Sequence, residues 1–221
     1  MRPGSVVRRR AVVAAIRPLW RDGGRALDVA GYDGSVPSTV VRSGLTVLDV
    51  DGSGMGEASR NGASTVLGSA TAMPVATGSV DLALSCDLLP CLDGEAAAQV
   101  YPEVRRVLRA GGHLVVTEVD ERFKLPFVDN KVAFATWGVR TGGFSYEQLA
   151  ALVRAAALRV VDHRMYYGLP TRLAYTVFFF WGWPRRGSRL KMRLFHAVVA
   201  SERWWCPLPR AHLIVAAPMG A

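Results

Sequence analysis

The segment Leu27-Asp28-Val29-Ala30-Gly31-Tyr32-Asp33-Gly34 is a short apolar run that enters a glycine-bearing turn. It has the layout of a first strand, a tight turn and then a helix. Small residues in such a turn let the backbone approach a ligand closely at the carboxyl edge of an open α/β sheet. The G-x-G-x-x-G spacing of dinucleotide-binding enzymes is missing, which weakens a nicotinamide reading. Outward from this segment, apolar runs at Ala26 to Val29, Leu45 to Val50, Thr65 to Leu67, Val80 to Ser85 and His113 to Val119 alternate with helical or turn-rich stretches. Alternation of this kind argues for a parallel sheet with crossover connections.

The second run, Thr46-Val47-Leu48-Asp49-Val50-Asp51, ends in an acid about twenty residues past the glycine turn, the separation of a carboxylate that accepts hydrogen bonds from ribose hydroxyls. Asp51 is the first candidate, and Asp49, two residues earlier on the same side of the strand, is its competitor. Glu95 to Arg109 reads as a helix with Val104, Val107 and Leu108 inward, kinked or restarted at Pro102 and stopped by Gly111 and Gly112. Tyr146 to Ala157 is a further helix with Ser145 as N-cap, leading into a strand from Arg159 to about Tyr167. The last strand falls at His212 to Ala217.

Three stretches in this order carry a family resemblance: Gly68-Ser69-Ala70-Thr71-Ala72-Met73-Pro74-Val75, Gly78-Ser79-Val80-Asp81-Leu82 and Arg106-Val107-Leu108-Arg109-Ala110-Gly111-Gly112-His113-Leu114. With the glycine turn they resemble the small-molecule class I S-adenosylmethionine-dependent methyltransferases often grouped as type 11, over roughly Arg25 to Val119. The resemblance implies a Rossmann-like three-layer α/β fold: a mostly parallel seven-stranded sheet with an antiparallel last strand and a helical insertion before it. It also implies S-adenosylmethionine as cofactor. Asp28, Ala30, Gly31, Tyr32 and Gly34 would surround its methionine part, Asp51 its ribose, and Ser69 with Ala70 its adenine. Ser85 and Cys86, with Asp87, would line the methyl-transfer mouth. Ala30 and Tyr32 stand where the family usually has glycine, and Ser69 where an aspartate is common.

The chain has 221 residues, half of them hydrophobic, which suits one domain with a large core and excludes a disordered chain. We divide it into a leading helix within 1–24, a cofactor-binding core at 25–167, an insertion at 168–210 and a last strand at 211–221. Its formal charge of +9 invites polyanions, yet the basic side chains are almost all Arg beside abundant Ala, Val and Gly, a bias that genome composition also produces. RNA methylation therefore rests on charge alone. Three cysteines fit neither a disulfide framework nor a zinc ribbon, so a reducing cytoplasm and no metal are the expectation.

The insertion holds an apolar stretch, Leu173 to Trp183, far shorter than the roughly 20 residues that span a bilayer. Arg185, Arg186, Arg189, Lys191, Arg193, an amphipathic run and Trp204-Trp205 follow it. One reading is a helical lid or homodimer surface; another is peripheral membrane contact through 173–205, suited to a lipid-linked acceptor. Methyl transfer needs alignment more than a strong catalytic signature, and a base only where the nucleophile carries a proton. Asp87, Glu118, Asp120 and His196 are the candidates, with Tyr166 and Tyr167 on the covering segment, whereas His113 and His163 read as structural. The expected activity is methyl transfer to oxygen or carbon of a small or lipid-like metabolite. The alternative is a methyltransferase fold turned to other work, such as a cyclase or scaffold.

Overall fold

A computed structural model describes residues 3–127, 142–180, 189–202 and 206–220. Seven strands form one sheet in the order β3-β2-β1-β4-β5-β7-β6. They are β1 (Ala26–Val29), β2 (Leu45–Asp49), β3 (Ser64–Leu67), β4 (Val80–Cys86), β5 (Leu108–Val119), β6 (Leu158–Tyr166) and β7 (Ala211–Pro218). Strands β3 through β5 pair in parallel, and β7 runs antiparallel between β5 and β6. This is the Rossmann-like α/β sheet with an antiparallel last strand that the sequence implies. The order reverses at β1 and β4, so the carboxyl edge there is the crevice where open sheets of this class bind ligands.

Helices α1 (Pro3–Ile16) and α2 (Met55–Arg60) cover one face, with Val12, Ile16, Val47, Leu82, Leu84 and Val115 in a shared core. On the other face α3 (Gly94–Val107) and α4 (Tyr146–Ala155) pack Val100, Tyr101, Val104, Leu149 and Val153 against Leu27, Leu114 and Ile214. Asp93 caps α3 by accepting from the Ala96 N–H at 2.8 Å. Ser145 and Gln148 form a reciprocal capping box at the start of α4.

Several sequence expectations are corrected. The leading helix ends at Ile16, whose carbonyl takes the N–H groups of Leu19 and Trp20 in a closing turn. Pro102 does not restart α3, which runs unbroken to Val107. Pro102 and Ala98, whose carbonyl it leaves unpaired, are both exposed, so water takes that acceptor. Gly111 and Gly112 lie inside β5 and do not stop the helix; Gly111 takes φ +77, and the β4–β5 register shifts beside it. The helix expected after the glycine turn is absent: the β1-to-β2 crossover holds only a 3-10 turn, Pro37–Thr39. Pro37 suits a first turn, while the β-branched Val36, Thr39, Val40 and Val41 oppose its extension.

Between β6 and β7 the insertion supplies α5 (Leu169–Tyr175), a π turn at Thr176–Phe180 and α6 (Arg189–Ser201). Tyr175, Phe178, Phe195 and Val199 form a third core with Val6 and Val7 of α1, Phe123 and Leu125. The Glu202 carboxylate accepts the N–H groups of Gly168 and Thr171, and Arg172 donates to the carbonyls of Lys124 and Leu208. Trp181, Trp183, Arg185, Arg186, Trp204 and Trp205 lie outside the described residues. Among those described, no helix is long and apolar enough to cross a membrane.

Candidate active site

The turn after β1 is built around Asp28. Gly31 lies so close to that carboxylate that any Cβ there would run into it. Ala30, Tyr32 and Gly34 take φ of 56°, 51° and 62°, the left-handed region that glycine adopts freely and other residues enter at a cost. The non-glycine residues hold this geometry because neighbours fix it. Ala30 N–H donates to Leu48 O at 2.7 Å and Tyr32 N–H to Asp49 Oδ2 at 3.0 Å. Gly54 makes room for Tyr32, since a Cβ there would meet the Tyr32 carbonyl at 2.6 Å.

The two candidate ribose acids are placed differently. Asp49 is buried at the end of β2 and accepts from the backbone of Tyr32 and Asp51. Asp51 is exposed and caps the turn that follows, taking the Ser53 N–H at 2.9 Å and hydroxyl at 2.7 Å, bonds that lower its acidity range. Beside Asp49, Val50 and Leu67 end β2 and β3 as exposed apolar side chains, 72% and 65% open. Ser69 shares its hydroxyl with Thr71 at 2.8 Å, and Ala70 is buried in the core.

On the other flank of the turn lies a cavity of about 560 Å³. Asp28, Ala30, Gly31, Tyr32 and Cys86 form its inner wall, and Arg8 and Arg9 come from α1. Arg8 pairs with Asp87 across the mouth. Burial pulls the Arg8 guanidinium down, but Asp87, Cys86 and Tyr166 outweigh it and hold the charge. Burial pushes the Asp28 carboxyl up to about 7, with Arg8 opposing and Asp33 and Asp49 adding to the rise. Burial likewise pushes the Cys86 thiol up to about 12 and raises Tyr166, so both are neutral and neither is an activated nucleophile.

The sequence candidates thus divide. Asp28, Ala30, Gly31, Tyr32 and Cys86 border the cavity, with Asp87 joined to it through Arg8. Gly34 is buried at the turn's end against Val47, and Ser85, fully buried, does not border the cavity. Glu118 is buried and accepts the N–H groups of Leu88 and Leu89, both at 3.1 Å, pinning the chain after β4. Burial holds its carboxyl well above the usual range. Asp120 binds Arg122 and accepts from His212, whose other ring nitrogen meets His163 at 3.0 Å. This chain ties β5, β7 and β6 together and gives His163 a structural place, its ring stacked on Tyr146 at 4.2 Å. Tyr167 packs on Phe123, and His196 is exposed on α6.

Arg8 is the residue that sequence reasoning missed. It stands four residues before Val12 and eight before Ile16, on the buried stripe of α1. A charged residue in an apolar stripe was the available signal.

Residues 27–116 match the family model described as a methyltransferase domain. No protein of curated function matches the chain in sequence. Among solved structures, the [4+2]-cyclase SpnF is 21% identical with a TM-score of 0.65, over 97% of this chain and 82% of that one. A putative sarcosine dimethylglycine methyltransferase from Galdieria sulphuraria is 14% identical with a TM-score of 0.64, over 96% and 84%. The geranyl diphosphate C-methyltransferase from Streptomyces coelicolor A3(2), solved with Mg2+, geranyl diphosphate and S-adenosyl-L-homocysteine, is 14% identical with a TM-score of 0.63, over 95% and 76%. At these identities the likeness concerns the fold. Residues 27–116 thus resemble a methyltransferase domain, and the chain shares the Rossmann-like fold of S-adenosylmethionine-dependent methyltransferases.

Proposed function

We propose that the chain transfers the methyl group of S-adenosylmethionine to an oxygen or carbon atom of a small metabolite. The observation that carries this reading is the glycine turn closed on Asp49, with Asp51, Val50 and Leu67 exposed beside it. A nucleoside requires such an edge: a carboxylate for its ribose hydroxyls and apolar surface for its base. Between the two ribose candidates exposure favours Asp51, because both oxygens of the buried Asp49 already accept the N–H groups of Tyr32 and Asp51. Arg8 and Asp28 both line the cavity beside the glycine turn.

When bound, S-adenosylmethionine supplies a sulfonium methyl group open to in-line displacement. The protein's part is alignment and exclusion of water. The Arg8–Asp87 pair fixes α1 across the mouth, and the insertion, packed on Val6 and Val7, serves as a lid. Asp28, with its carboxyl near 7, is suited to exchange a proton close to neutrality if the acceptor is a hydroxyl. The lipid-linked acceptor draws no support from Tyr175, Phe178 and Phe195 of the insertion, which pack inward.

Calorimetric titration with S-adenosylmethionine and S-adenosylhomocysteine tests the proposal. Micromolar binding, abolished in Asp51→Ala, is the expected pattern. Absence of binding at millimolar cofactor would remove it. The second reading, this fold without methyl transfer, is favoured by Ala30 and Tyr32 at positive φ in the turn and by the likeness to a cyclase. Cofactor binding with no methyl transfer to any acceptor class would support it.

A further inference from the structure

Helix α6 packs into the insertion through one face. Lys191, Phe195 and Val199 are buried, Met192 and Val198 are partly so, and Phe195 and Val199 share the third core with Val6 and Val7 of α1. A helix resting on a core needs one such stripe, and the rest of its surface is ordinarily polar. Here a second apolar row runs away from the buried face. Leu190, Leu194 and Ala197, spaced i, i+4 and i+7, lie on one side, and the two leucines are 60% and 42% exposed. Among the described residues four leucines are exposed: Leu67 at the nucleoside edge, and Leu190, Leu194 and Leu208 within 190–208. A lone surface leucine is commonplace, but three gathered on one insertion point to a partner.

Charge indicates which partner. Arg193 and His196 are exposed beside the row, and α6 holds three Arg or Lys residues and no Asp or Glu from Arg189 to Ser201. Glu202, the next residue, turns inward to the N–H groups of Gly168 and Thr171. No carboxylate among the described residues pairs with Arg193. Apolar side chains flanked by cations fit the boundary of an anionic lipid layer, where leucines enter the acyl region and arginines meet phosphates. A second copy of the chain fits worse. An isologous contact lays the same patch on itself, which sets Arg193 close to its own copy between chains of formal charge +9.

We infer that the outer row of α6 docks the protein on the surface of an anionic phospholipid bilayer, with Leu190 and Leu194 entering the lipid and Arg193 at the headgroups. The inner face of α6 shares its core with Val6 and Val7, which directly precede Arg8, so attachment there brings the mouth of the cavity toward the lipid. The attachment itself does not depend on the methyl-transfer reading.

Flotation of the full chain with lipid vesicles tests it. Mixed phosphatidylglycerol and phosphatidylcholine vesicles carry several-fold more protein than phosphatidylcholine alone, and added salt narrows the difference. Replacing both Leu190→Ser and Leu194→Ser lowers binding to the mixed vesicles several-fold at unchanged charge, and Arg193→Gln lowers it less. Val161→Ser, a comparably open apolar position on β6, leaves it unchanged. All four side chains are exposed, so thermal melts by circular dichroism stay with the parent. No binding to mixed vesicles, or equal binding to both compositions, would overturn the inference. Undiminished binding by the double variant would also overturn it, tracing the attraction to the general basicity of the chain. So would a lipid-free dimer at micromolar concentration, seen by light scattering and dispersed in the double variant, because it assigns the row to a second copy.

Discussion

Two crossovers of one sheet are closed in different ways. Between β4 and β5 the chain forms α3, fourteen residues long, capped by Asp93 and braced at its far end by Arg106. That guanidinium donates to the carbonyls of Val75 and Met73 and to Glu103, while Glu103 accepts the Met73 N–H. Between β1 and β2 a single 3-10 turn does the same topological task and leaves a polar cavity under the glycine turn. A helical crossover seals its face with apolar side chains; a turn of three residues cannot, and the buried acid Asp28 is the result. The stable crossover is scaffold, and the incomplete one is where binding residues collect.

The largest effect expected from breaking the open crossover is at Asp28. Its folded carboxyl titrates near 7 against 3.8 for the ordinary group, so between those values the native state keeps a proton that the unfolded chain has lost. Stability therefore falls as pH rises through this window and levels off above it. Asp28→Asn removes that slope and is more stable than the parent at pH 8 by up to roughly 4 kcal/mol, at about 1.4 kcal/mol per pH unit. Parallel denaturation profiles for the two proteins from pH 4 to 8 would defeat the assignment.

Gly31→Val drives a side chain into the same carboxylate, and overpacking of this kind costs about 3 kcal/mol. Thermal melts should show the loss together with loss of S-adenosylhomocysteine binding. Full retention of both would mean that the turn is not built around Asp28. On the sealed crossover, Arg106→Ala removes a part-exposed hub of hydrogen bonds and costs about 1–2 kcal/mol. Here stability drops while cofactor affinity stays within twofold, and equal losses in both would erase the contrast between the crossovers. The smallest effect is at Ala30→Gly. Relief of the positive φ is offset by added chain entropy, so a gain of at most about 1 kcal/mol is expected in urea melts. A loss of that size would show that the Ala30 methyl group packs usefully.

Much of the frame was readable before any coordinates. The strands at Ala26, Leu45 and Val80 begin where the apolar runs begin, and the Ser145 cap with Gln148 three residues on is a local signal that the fold keeps. The helix expected after the glycine turn rested on the strand-and-turn layout of Leu27 to Gly34, and the local preference of Pro37 and four β-branched neighbours prevailed over it. Asp49 and Asp51 could not be told apart along one strand. Only the fold, which buries Asp49 under the N–H groups of Tyr32 and Asp51 and leaves Asp51 exposed, separates them.

The sequence alone determined the parallel sheet and the glycine turn, because periodicity and turn chemistry act over a few residues. Tertiary structure decided which charges meet. Arg8 reaches Asp87 across 79 positions, and Asp120 reaches His212 across 92. Such pairings depend on how helices and strands stack, and a linear pattern holds no record of that distance. The cavity belongs to the same class, since it exists only where α1, α2 and an unfilled crossover surround one space.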